Sequence, residues 1–133
     1  RARVRLADAT SPPDWWEGPA PERILLDAPC TASGVVRRHP DGRWLKRAGD
    51  ATILAQRQGR LLEALWSLLG RGGKLLYATC SLFGTENREV VGAFLALHPE
   101  AVEEPLDLPG GRRGQLLPDN HHDGFFYARL LKT

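Results

Sequence analysis

Two apolar runs of strand length bracket one long leucine-periodic segment, and each run closes on a turn that carries a cysteine. Ile24-Leu25-Leu26 ends at Asp27-Ala28-Pro29-Cys30, and Leu75-Leu76-Tyr77-Ala78 ends at Thr79-Cys80-Ser81. Runs this short, closed by small or turn-forming residues, read as buried parallel strands. Between them Leu54, Leu61, Leu62, Leu65 and Leu69 recur at helical spacing. The spacing predicts a helix over residues 50–69, capped by Asp50 or Thr52 and stopped by Gly70, Gly72 and Gly73. In an open α/β sheet, ligands bind beyond the carboxyl ends of the strands. The pattern therefore places the chain's two thiols, and the Asp27 carboxylate, where such a fold keeps its chemistry.

The rest of the chain extends the alternation. Residues 3–7 read as a strand ending at Asp8, followed by a Pro-rich loop from Thr10 to Glu22 in which Trp15 and Trp16 pack the loop. Gly34, Pro40 and Gly42 break the stretch after Cys30. A second helix begins near Thr85, with Glu86 and Glu89 in its positive first turn, and ends before Pro99. Ala101–Glu104 and Phe125–Leu131 are further strands, separated by a glycine turn at 110–114 and a polar loop. Strand and helix alternating through short loops argue for an α/β fold with a mostly parallel sheet covered by helices.

At 133 residues the chain is one domain or part of one. It contains no methionine, which points to a segment of a longer protein. No apolar run reaches the roughly 20 residues of a membrane span, and no secretory pattern opens the chain. Two cysteines are too few for a disulfide scaffold, so a reducing cytoplasm is expected. The net charge of +2 is unevenly spread. Arg37, Arg38, His39, Arg43, Lys46 and Arg47 face a single acid, Asp41, across residues 37–47.

Thiols on adjacent strand ends, about 4.8 Å between axes, can reach one small substrate. A thiolate is a strong nucleophile, and Arg37 and Arg38 can supply the positive field that favours it. Asp27 can accept hydrogen bonds from a ring amino group or a cofactor. Inert core packing is the bland reading of the same cysteines. A metal site is not expected, because there is no CxxC and His121-His122 lacks partners. The basic cluster, with Trp44 beside it, suits phosphates and stacked bases, and its bland reading is a solvated loop.

Asp27-Ala28-Pro29-Cys30-Thr31-Ala32-Ser33-Gly34, Arg37-Arg38-His39-Pro40-Asp41, Trp44-Leu45, Tyr77-Ala78-Thr79-Cys80-Ser81 and Asp123-Gly124-Phe125-Phe126-Tyr127-Ala128 together resemble the RNA cytosine-carbon-5 methyltransferases. The resemblance covers nearly the whole chain and is nearest to the bacterial branch that acts on 16S ribosomal RNA. It implies a Rossmann-like class I methyltransferase fold using S-adenosylmethionine. It makes Cys80 the nucleophile toward carbon 6 of a cytosine, Cys30 the group that assists proton removal and enzyme release, and Asp27 and Asp8 the cofactor-side acids. It assigns Arg37, Arg38, His39, Arg43, Lys46 and Arg47 to RNA.

The family's glycine-rich cofactor loop and the acidic end of its second strand have no counterpart in residues 1–133. The resemblance thus implies the carboxyl-terminal part of a catalytic domain, without its first two strands, inactive and a weak cofactor binder by itself. Gly42 stands where a larger apolar residue is usual. Two other readings remain at this point: a non-catalytic RNA-binding module on a degenerate methyltransferase fold, and a redox sensor using Cys30 and Cys80. The intact cysteines and Asp27 weigh against degeneracy.

Overall fold

The computed structural model describes residues 2–108 and 113–133, so part of the glycine turn expected at 110–114 lies outside the described residues. Its strands are β1 (Arg23–Asp27), β2 (Lys74–Thr79), β3 (Ala101–Glu104), β4 (Gln115–Leu116) and β5 (Phe125–Lys132). Its helices are α1 (Gly42–Leu45), α2 (Asp50–Leu68) and α3 (Arg88–Leu97). The strands form one mixed sheet in the order β1-β2-β5-β3, with β4 also on β5.

The strand–helix–strand pattern holds. β1 and β2 pair in parallel with Asp27 opposite Ala78, and α2 is the crossover between them. The expectation of a mostly parallel sheet is corrected: β5 runs antiparallel to β2, β3 and β4. β2 and β3 point the same way, and β5 inserts between them reversed. Among the described residues no helix follows β3, and a parallel return would need a crossover of about a dozen residues or more. The reversal puts Phe126 opposite Thr79, so the segment leading into β5 arrives at the carboxyl end of β2.

The strand expected at 3–7 is not formed. Residues 2–8 carry no regular structure before the turn, and Val4 and Leu6 are fully exposed. An apolar alternation makes a strand only when a ladder partner is at hand, and none of the described strands pairs with it. Trp15 does pack the following loop: its indole donates to the Asp8 carbonyl at 3.0 Å and its ring lies against the core.

The core sits between one face of the sheet and helices α2 and α3. Leu62, Leu65 and Trp66 of α2 and Val90, Val91 and Phe94 of α3 meet Leu75, Tyr77, Phe126, Ala128 and Leu130. Burial at every second residue of β5 is the period-2 signature of a strand with one covered face. Trp66 and Phe94 pack edge to face at 5.2 Å. The Lys132 ammonium donates to the carbonyls of Trp66 and Leu69, both at 2.9 Å, and so caps the negative end of α2. At the other end of α2, Asp50 does not cap the helix. Gly49, at φ +95°, occupies the cap position, and the Asp50 carboxylate turns back to the Arg47 N–H at 2.8 Å.

Candidate active site

The parallel pairing of β1 and β2 delivers the two cysteine turns side by side. Ala28 N–H extends the ladder to the Ala78 carbonyl at 2.9 Å, and the sulfurs of Cys30 and Cys80 lie 3.4 Å apart. Both are free thiols, each part-exposed. Burial pushes the Cys30 thiol up to about 12, and the neighbouring Cys80 adds to the rise, while the Ala32 N–H opposes it. Cys30 is thus held protonated at neutral pH, against the expectation that local positive charge would favour its thiolate.

That correction has a structural cause. Arg37 and Arg38 do not point their charge at the thiols. Both clamp the buried Asp123 carboxylate, Arg37 at 3.1 Å and Arg38 at 2.5 Å, and Arg37 also donates to the Asp119 carbonyl at 3.0 Å. More than half of each arginine side chain remains exposed beyond this clamp. His39, Arg43 and Arg47 are exposed, Lys46 is half-buried, and none of the four side chains forms an ion pair among the described residues.

The two cysteine turns are tied together by a residue that the sequence reading put elsewhere. Glu86 is fully buried in a 3-10 turn ahead of α3, not on the surface of that helix's first turn. One carboxyl oxygen accepts the Thr31 N–H at 2.8 Å and the Gln58 amide at 3.1 Å. The other accepts the hydroxyls of Thr31 at 2.6 Å and Ser81 at 2.5 Å. A buried carboxyl group without a cation is tolerable only when its acceptor sites are filled in this way. Gln58 of α2 also donates to the Pro29 carbonyl at 2.9 Å, so the helix, the Cys30 turn and the Cys80 turn share one network.

Further bonds fix the backbone around the thiols. Asn87 donates to the Ser81 carbonyl at 2.9 Å and accepts from Thr79 at 2.6 Å. Gly34 N–H donates to the Cys80 carbonyl at 2.8 Å, and Gly124 N–H donates to the Gly34 carbonyl at 2.9 Å. A Cβ at Gly34 would overlap the Gly124 carbonyl, so this crossing requires glycine. Ala32 adopts a left-handed conformation at φ +55°, rare for a residue with a side chain. From sequence alone, Thr85-Glu86-Asn87 ahead of an apolar helix reads as a helix start, which hid Glu86 and Asn87.

Asp27 closes β1 and is exposed, with no hydrogen-bond partner for its carboxylate among the described residues. Asp8 is exposed as well, and its Oδ1 accepts the Thr10 N–H at 2.9 Å and hydroxyl at 2.8 Å, which lowers its pKa. The described residues do not join Asp8 to the thiols. A hollow of about 670 Å³ lies between the 3–9 segment and the Trp15–Gly18 loop, and it includes neither cysteine. A second, of about 430 Å³, is walled by Thr31 and Ala32, the two residues after Cys30. No helix is long and apolar enough to cross a membrane, and no cluster of metal-ligating side chains occurs, among the described residues.

Comparison with known proteins adds to this geometry. A family model described as 16S rRNA methyltransferase RsmB/F matches residues 1–131. The chain is 50% identical over 135 residues to ribosomal RNA small subunit methyltransferase B of Vibrio vulnificus and 51% identical over 136 residues to that of Pseudomonas putida. These alignments take in 99% and 98% of this chain but 31% of each relative. The solved structure of NSun6 from Pyrococcus horikoshii with SFG superposes at a TM-score of 0.81 and 32% identity, over 98% of this chain and 34% of that one. A methyltransferase homolog from Pyrococcus horikoshii superposes at 0.69, also with 32% identity, over 84% of this chain and 39% of that one.

Proposed function

The chain belongs to the 16S rRNA methyltransferase RsmB/F family, and on that premise we propose that the protein carrying it methylates carbon 5 of a cytosine in 16S ribosomal RNA, in the cytoplasm. Residues 1–133 form the carboxyl-terminal portion of the catalytic domain. The observation that carries the reading is the pair of thiols 3.4 Å apart at the ends of two parallel strands. One small ring can meet both sulfurs only if it leaves its stack, as a flipped base does.

A neutral cytosine ring is a poor methyl acceptor. The Cys80 thiolate adds to carbon 6, forming a C–S bond and making carbon 5 electron-rich. S-adenosylmethionine, when bound, supplies the methyl group that carbon 5 takes. Burial favours the protonated form of Cys30, so it acts as a base only after its own proton has passed to solvent. The Cys30 thiolate then takes the carbon 5 proton and ends as the thiol that burial favours, while the C–S bond breaks and Cys80 leaves as thiolate. The Glu86 network holds the two sulfurs in one place while these bonds form and break.

The residues present suit the methyl donor. Asp27 offers an unpartnered carboxylate at a strand end, the chemistry that accepts hydroxyl or amino groups, and Asp8 is a second exposed acid with one oxygen still open. Support also comes from the archaeal relative solved with SFG, an analogue of that donor. Arg37, Arg38, His39, Arg43, Lys46 and Arg47 line the RNA side. For Arg37 and Arg38 the part of each side chain left exposed beyond the Asp123 clamp is what remains for phosphate.

The test is transfer of labelled methyl groups from S-adenosylmethionine to 16S ribosomal RNA by the whole protein, with nucleoside analysis of the product. Label in 5-methylcytidine, abolished by Cys80→Ser, supports the reading. RNA binding without transfer would favour the non-catalytic module instead.

A further inference from the structure

The hollow walled by Thr31 and Ala32 is built of two kinds of surface. Its apolar part is Leu45 and Ile53, respectively 72% and 66% exposed, with Leu54 below them. Its polar part is Lys46 and His39, and its inner wall is Thr31 and Ala32. The remaining charged group, Asp50, has its carboxylate engaged by the Arg47 N–H, at the foot of α2. Exposed carbon surface beside the Lys46 ammonium, which forms no ion pair among the described residues, offers a base an apolar contact and a phosphate a charge. At about 430 Å³ the hollow is within the range of small-ligand sites.

Gly42 is part of its lining. A Cβ there would come within 3.2 Å of the Lys46 ammonium and would touch no other atom closely, so a side chain at position 42 has room to enter the hollow beside Lys46. Thr31 and Ala32 follow Cys30 directly, so the wall of the hollow continues the turn that carries one of the two thiols.

We propose that this hollow is a subsite for the ribonucleotide next to the target cytosine, its base on Leu45 and Ile53 and its phosphate at Lys46 and His39. The inference rests on the RNA-methylating reading above and adds a place where sequence context is felt. Both the extruded base and its neighbour are gripped, and the step between them is where the strand bends.

The test uses the whole protein, S-adenosylmethionine and a 16S ribosomal RNA fragment carrying the mapped cytosine, with an abasic nucleotide placed on either side of it. One of the two abasic substrates should lower wild-type kcat/KM by about tenfold. Gly42→Leu, which fills the hollow, should lower kcat/KM on intact RNA by a similar factor and make the abasic change silent. Lys46→Ala, which removes the ammonium from the hollow, should reduce the slope of log affinity against log salt by about 0.7. Abasic effects absent on both sides, or fully additive with Gly42→Leu, overturn the subsite while leaving the methylation reading intact. Absence of any methyl transfer by the wild type overturns the reading and the subsite with it.

Discussion

Glu86 receives both the backbone N–H and the hydroxyl of Thr31, one on each carboxyl oxygen, at 2.8 and 2.6 Å. The residue next to Cys30 is thereby fastened to a side chain that also holds Ser81, the residue next to Cys80.

Glu86→Ala should therefore be among the costliest single changes in the chain. It leaves the Thr31 N–H and hydroxyl, the Ser81 hydroxyl and one Gln58 donor without their shared acceptor, worth about 3 kcal/mol or more in unfolding free energy. Urea denaturation followed by far-ultraviolet circular dichroism measures it. Glu86→Gln, which retains one acceptor oxygen, should fall between wild type and Glu86→Ala.

Gly34→Ala tests the backbone crossing. The added methyl meets the Gly124 carbonyl and the Cys80 carbonyl, both main chain, so the loops must separate. A loss of about 2 kcal/mol is expected. Cross-linking of Cys30 to Cys80 by a short bifunctional thiol reagent should slow in the same variant. An unchanged unfolding midpoint would contradict the close approach.

The Cys30 thiol should resist alkylation. With its titration pushed up to about 12, only a trace is thiolate at about pH 8.5. Iodoacetamide should label Cys30 at least about 100-fold more slowly than the same cysteine in an unfolded peptide. Mass spectrometry of the separated peptides reads this directly.

Stability should also respond to pH through His98. Its ring bridges Glu63 at 2.8 Å and Glu100 at 3.0 Å. Burial disfavours its charged form, but the hydrogen bonds to Glu100 and Glu63 prevail, and the folded-state pKa lies above the usual 6.5. The folded state binds this proton more tightly than the unfolded state. The contribution is full below about pH 6.5 and is lost as pH rises through the folded value. Glu100 works in the opposite direction. Chiefly through the Trp66 indole, its pKa falls to about 2, so its share is present above 4.5 and is lost as pH falls toward 2. Unfolding midpoints across pH should show His98→Gln abolishing the alkaline loss and reducing, without removing, the acid one, because the Trp66 indole still holds Glu100.

Local pattern carried much of this architecture. Arg23–Asp27, Lys74–Thr79 and Ala101–Glu104 are strands as expected, and the long helix ends at Leu68, one residue short of the expected Leu69. The adjacency of Cys30 and Cys80 also follows from strand–helix–strand order. The direction of β5 was not legible, because a strand's burial period is the same whichever way it runs. Nor was the absence of a strand at 3–7, where alternation was present and no described strand pairs with it. Glu86 and the Asp123 clamp on Arg37 and Arg38 escaped for a common reason. Each joins residues far apart in sequence, and a carboxylate's burial is decided by what the fold brings to it.

The proposed division of labour between the thiols is tested most directly by trapping a covalent adduct with RNA. Whole protein with Cys30→Ser or Cys80→Ser is incubated with 16S ribosomal RNA and S-adenosylmethionine and run on a denaturing gel. Attack by Cys80 and release by Cys30 predict a covalent protein–RNA adduct that accumulates in Cys30→Ser and is absent from Cys80→Ser. Adduct in Cys80→Ser, or none in either variant while methylation continues, would contradict it.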